Sequence, residues 1–192
     1  MTKSEVTQAD NRSIAYYWKA FRSNPWLSWP ADIFLYAVIL YGVYSWQTGH
    51  LIKADGTEPV PAFTAQTISG EFISSENFSG KKSLVYFFAT WCAACNMSMS
   101  NLNALHRRAE SGELAVYLVA LSYETKQEIE EYVARHELNM PVILGTPQMA
   151  RDFRIESFPT YYVINEEGKI ISRDVGYSTR TGLLWRSGEL GI

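Results

Sequence analysis

An unbroken apolar run, Leu84-Val85-Tyr86-Phe87-Phe88-Ala89, leads through Thr90 into Trp91-Cys92-Ala93-Ala94-Cys95, and a helix-like segment follows. Few folds place a buried strand, two cysteines and a helix in immediate succession. These are the chain's only cysteines. Two residues between them let the sulfurs meet and leave the first at the helix N-terminus, where unpaired amide donors and the helix dipole favour a thiolate. Such a thiolate can attack a disulfide, and the second cysteine can resolve the mixed intermediate.

Composition narrows the alternatives. With two cysteines there is neither a disulfide framework nor a four-cysteine zinc site, and His50, His106 and His136 lack the spacing of a mixed site. A net charge of -3 with interspersed signs gives no footprint for nucleic acid.

Residues 1–28 read as a cytoplasmic tail. Within it Ile14, Tyr17, Trp18 and Phe21 share a helical face, as in a helix lying on a membrane, or belong to a frayed tail. Ile33 to Trp46 contains no charged residue. A helix over 29–47 beginning near Pro30 would reach about 27 Å, close to a hydrocarbon core, with Asp32 in its first turn. Trp26 and Trp29 before it, and Tyr44 and Trp46 at its far end, resemble aromatic belts. Lys3, Arg12, Lys19 and Arg22 precede the segment and only Lys53 closely follows, so the positive-inside rule puts the N-terminus in the cytoplasm. A cleaved signal peptide is the rival, but Ser45-Trp46-Gln47 offers no small-x-small site. Residues 48–62, with Gly49, Gly56, Pro59 and Pro61, read as a linker.

Residues 63–192 carry an α/β pattern. The spacing predicts a hairpin over 64–73, strands at 84–89 and 114–121, a helix over 93–109, and a second helix opened by Thr125 and Glu128. A strand at 142–144, a short helix from Pro147, a hairpin around Asn165-Glu166-Glu167-Gly168 and a last helix near 180–188 complete it.

This order, with Ser157-Phe158-Pro159-Thr160-Tyr161-Tyr162 before the final hairpin, resembles the thioredoxin fold in its membrane-tethered TlpA/ResA-like branch. The stretch from Gly176-Tyr177-Ser178 to Gly182-Leu183-Leu184 is similar to the suppressor-of-copper-sensitivity D proteins of that branch. The resemblance implies a central mixed sheet with flanking helices and an N-terminal hairpin extension, behind a single transmembrane helix. It implies Cys92 as exposed nucleophile, Cys95 as buried resolving thiol and Pro159 as a cis-proline that presents Phe158 to a substrate strand, with Trp91 flanking the sulfur. Plain core packing is the competing reading of the Trp91 and Phe158 rings. It further implies an inner-membrane, single-pass protein with a periplasmic domain. Its partners would be thiol-containing proteins and a membrane electron donor of DsbD/CcdA type, with no cofactor beyond the Cys92-Cys95 disulfide and no metal.

Two departures stand out. Tyr86 replaces the buried aspartate of thioredoxin, and Ser98 replaces the glutamate of many ResA-like proteins. Glu124 is then a candidate to assist Cys95 through water, or a solvated carboxylate beside a helix cap. Reduction of protein disulfides in cytochrome c maturation, copper-site assembly or disulfide repair is the leading function. Competing are an oxidase or isomerase, a copper-binding or interaction module using the dithiol with Met97 and Met99, and a structural domain with an inert disulfide.

Overall fold

The computed structural model describes residues 25–109 and 114–188, which fall into two units divided between Gln47 and Thr48. The amphipathic segment 14–21 lies outside the described residues.

The described residues of the first unit belong to a helix, α1 (Pro25–Thr48), of 24 residues. It starts earlier than expected, so Pro30 lies inside it and removes one backbone bond, and Asp32 is not in the first turn. Among the described residues no helix is both long and apolar enough to cross a membrane. In α1 the length is present, but Asp32, Tyr36, Tyr41, Tyr44 and Ser45 dilute the apolar run.

In the second unit the elements are β1 (Thr64–Gln66), β2 (Phe72–Ser74), β3 (Lys82–Phe88), α2 (Ala93–Ala109), β4 (Leu114–Ala120) and α3 (Lys126–Arg135). They continue with β5 (Val142–Leu144), α4 (Pro147–Asp152), β6 (Thr160–Ile164), β7 (Ile170–Val175) and α5 (Arg180–Ser187). The main sheet has the order β5-β4-β3-β6-β7. β3, β4 and β5 run parallel, and β6 and β7 are antiparallel to their neighbours. The central strands read as continuous apolar runs because both faces are covered.

Alternation along β3 builds two cores. Leu84, Tyr86 and Phe88 face a cluster holding Met99 and Leu102 of α2, Ile129 and Tyr132 of α3, and both cysteines. Val85 and Phe87 face the opposite cluster with Tyr162, Ile164, Met149 and Phe153.

Each sheet edge is covered in part. The β1-β2 hairpin reaches β5 through the Thr67–Ile143 bridge and a 2.9 Å bond from Ile68 N–H to the Val142 carbonyl. Residues 48–62, expected to be a linker, pair instead through Gly56, Glu58 and Val60 with the turn before β7 and with Ile170 at its start. Gly56 and Val60 N–H groups donate to the carbonyls of Ile170 and Gly168 at 3.0 Å each. Leu51 keeps 1% of its surface exposed, and Arg173 Nη1 donates to the Leu51 and Ile52 carbonyls at 2.6 and 2.7 Å. Gly, Pro and charge in this segment read as a linker because its few apolar residues have no period, yet an unpaired edge offers its backbone partners.

Candidate active site

Parallel β3 delivers its C-terminal end to the start of α2, and the turn between them holds the cysteines. Cys92 N–H donates to the Ala89 carbonyl at 3.1 Å, closing the turn. Cys92 then stands where an N-cap residue stands, and its Sγ accepts the Cys95 N–H at 3.2 Å. The helix thereby offers a backbone donor to the first sulfur.

Both thiols are free. Cys95 is fully buried, and Cys92, expected to be exposed, retains only 7% of its surface. The aromatic side chains nearby account for this shielding. Phe158 packs against the cluster that contains Cys92, and the Trp91 ring meets Phe158 edge-on with centroids 5.7 Å apart. Burial first, and then the neighbouring Cys92 sulfur, push the Cys95 thiol far above its ordinary value. The second thiol thus waits as a neutral group.

The Phe158-Pro159 peptide bond is cis. Thr160 Oγ1 donates to the Ser157 carbonyl at 2.8 Å and Gly176 N–H to the Pro159 carbonyl at 2.8 Å, which fixes the loop against β7. Beside it lies a cavity of about 490 Å³ lined by Leu121, Tyr123, Gly145, Pro147, Ala150 and Phe158.

Polar contacts around the site depart from expectation at three places. Glu124 is exposed, and its backbone N–H donates to Glu128 Oε2 at 3.0 Å. The carboxylate that reaches the cysteine loop is Glu128, which accepts the Thr90 hydroxyl and is held below its ordinary value by that bond first and the Glu124 N–H second. Only its capping spacing after Thr125 is visible in the sequence; the Thr125 side chain does accept the Glu128 N–H at 3.2 Å. Ser98 is buried and tied to backbone, donating to the Ala94 carbonyl at 2.9 Å and accepting the Ser178 N–H at 3.3 Å. Met97 is exposed and Met99 fully buried, so the two do not converge on one ligand. Among the described residues no group of three or more His, Cys, Asp or Glu side chains could hold a metal.

A model of the AhpC/TSA family matches residues 57–173. The chain belongs to this family. Within it, the chain is 27% identical over 146 residues to the sporulation thiol-disulfide oxidoreductase A of Bacillus subtilis, covering 74% of this chain and 88% of that protein. It is 27% identical over 126 residues to the thiol-disulfide oxidoreductase ResA of Bacillus cereus, covering 64% and 71%. A solved thiol:disulfide interchange protein of the thioredoxin family from Chlorobium tepidum overlays with a TM-score of 0.63 at 25% identity, covering 69% of this chain and 94% of that one. As an AhpC/TSA member with a thioredoxin-like fold, the chain places Trp91, Cys92, Cys95, Phe158 and Pro159 at one end of its central strands, with Glu124 exposed in the loop after β4.

Proposed function

We propose that this thiol-disulfide oxidoreductase is a membrane-tethered reductase of protein disulfides, working through Cys92 and Cys95 on the periplasmic side of the inner membrane. The buried state of Cys95 carries the direction. A dithiol becomes an oxidant when its reduced form is stabilised, chiefly through a favoured thiolate. Here burial and the adjacent sulfur disfavour ionisation of Cys95, and Ala93 and Ala94 put neither a side-chain donor nor a cation between the sulfurs. The reduced pair therefore gains little from ionisation of Cys95, which supports the reducing direction.

In the first step a Cys92 thiolate attacks one sulfur of a substrate disulfide, and the other sulfur leaves as a thiolate that takes a proton from solvent. Cys95 then loses its proton to solvent and attacks Cys92 Sγ. The bond between Cys92 and substrate breaks, the substrate has gained two electrons, and the chain holds a Cys92-Cys95 disulfide. A membrane donor of DsbD/CcdA type would return the pair to the dithiol. Phe158 and Pro159 would present the substrate strand, with Trp91 limiting access.

Tethering is supported by α1. Ile33, Phe34, Leu35 and Tyr36 occupy consecutive positions, so they ring the helix, and all four are exposed. Over that turn the helix presents no charged side chain to water. The positive charges before it and the oxidising compartment in which such chemistry is useful favour an outward domain.

The test compares directions. The reduced chain is expected to cleave insulin's interchain disulfides faster than the oxidised chain transfers its disulfide to a reduced, unfolded protein; the opposite ranking contradicts the proposal. In spheroplasts the full chain should resist carbonate extraction and be cut by external protease, and a protected domain would contradict the assigned side.

A further inference from the structure

Two hydroxyls beside the cysteine pair are buried without a partner. Tyr86 on β3 is 0% exposed and Tyr132 on α3 is 1% exposed, and neither Oη has a hydrogen-bond partner among the described residues. Buried polar groups are nearly always paired, so two orphans at one place call for a reason. Both rings belong to the cluster that contains Cys92 and Cys95. Both hydroxyls feel charge on Cys95 and then on Cys92, and Tyr86 also feels Tyr132. One phenol comes from the sheet and the other from a helix, with the buried thiol in the same cluster.

Their chemistry fixes the role open to them. Burial, ahead of every charge effect, pushes both phenols far above their ordinary value, so they remain protonated and each keeps a hydrogen to donate. Ser98 is the other polar neighbour of Tyr86 and acts on its phenol against burial, but its hydroxyl donates to the Ala94 carbonyl and accepts the Ser178 N–H, and no bond of normal length joins it to Tyr86 Oη. The influences on Cys95 are burial, the Cys92 sulfur and backbone at Ala89 and Cys95, with no carboxylate among them. Other charged or titratable groups lie one layer out. On α3, Arg135, Glu128 and Glu131 lie around Tyr132, with His136 just past the helix end, while Tyr161 of β6, with Asp174 and Arg186, stacks on Tyr86.

We propose that Tyr86 and Tyr132 are positioning residues for Cys95, donating hydrogen bonds to its thiolate, directly or through one water, as that thiolate forms for the resolving attack. The step balances as described above: the Cys95 proton leaves to solvent, the Cys95-Cys92 bond forms, the bond from Cys92 to substrate breaks, and the substrate sulfur departs as a thiolate. The tyrosines gain and lose no proton. The phenols are unpaired in the dithiol because the acceptor they serve exists only during exchange.

The inference rests on exchange through both cysteines, and one stopped-flow experiment separates the two claims. The reduced full chain in detergent is mixed with stoichiometric Ellman's reagent, and release of 5-thio-2-nitrobenzoate is followed from pH 6 to 10. Attack by Cys92 gives a first phase and resolution by Cys95 a second. In the Tyr86→Phe, Tyr132→Phe double variant the second phase should slow about tenfold at neutral pH and its midpoint rise by about one pH unit, with smaller effects in the single variants. The first phase should stay within about twofold, which also reports that the fold survives loss of two oxygens. An unchanged second phase in the double variant, or equal slowing of both phases, overturns the proposal. A wild-type chain with no second phase overturns the exchange reading with it.

Discussion

Trp91 Nε1 donates to the Ser122 carbonyl at 3.3 Å, pinning an indole that is 65% exposed across the end of β4. The same ring braces Phe158, so one side chain joins the cysteine turn, the loop after β4 and the cis-proline loop. Trp91→Ala should expose Cys92 and raise its alkylation rate several-fold, because steric access and not thiolate chemistry is what changes. Reduction of insulin should fall at the same time, since a substrate strand loses an aromatic surface. Paired alkylation and insulin assays check both directions, and a fall in alkylation would show that the indole does not shield the sulfur.

Glu128 gives the site a pH limit. Its carboxyl is lowered in the fold by the Thr90 hydroxyl and the Glu124 N–H, so the stabilisation is present above the ordinary carboxylate range and is lost as pH falls through the folded value. The group is largely solvated, so the effect is modest. Melting curves between pH 3 and 7 should show a loss at the acid end that Glu128→Gln removes, while the variant melts slightly lower at neutral pH.

Gly145 admits no larger residue. A Cβ there would lie 2.6 Å from the Ala120 carbonyl oxygen and 2.6 Å from Leu121 Cδ2. Gly145 N–H also donates to that carbonyl at 2.9 Å. Gly145→Ala should cost about 2 kcal/mol through overpacking, read as a lower urea midpoint with an unchanged slope.

The segment before β1 should be part of the cooperative unit. Leu51→Ala removes a fully packed side chain and is expected to cost about 2–4 kcal/mol by urea denaturation. Arg173→Ala frees two carbonyls and should make residues 48–62 sensitive to protease before the domain unfolds.

Strands, helices and the cysteine junction were legible because period and order are properties of the chain itself. β5 and α2 have the limits read from pattern, 142–144 and 93–109. What escaped depends on partners far apart in sequence. Glu128 is a helix-cap residue until Thr90, 38 positions away, is folded beside it. Tyr132 is one more apolar position on a helix face until β3 brings Tyr86 and the cysteines to the same core. Residues 48–62 carry turn formers and few apolar groups, and only the bare edge of β7 makes them structural. Glu124 had two readings, an aid to Cys95 through water or a solvated carboxylate beside a helix cap, and in the fold it is exposed with its backbone N–H bonded to Glu128.

The central claim is the direction set by a buried, reluctant Cys95 thiol. The measurement that tests it most directly is the equilibrium reduction potential of the Cys92-Cys95 couple in the full chain, taken against a dithiothreitol series at pH 7. A value near the thioredoxin end of the scale, about -270 mV, is the expected result; one near about -120 mV, where the reduced form is strongly stabilised, would contradict it.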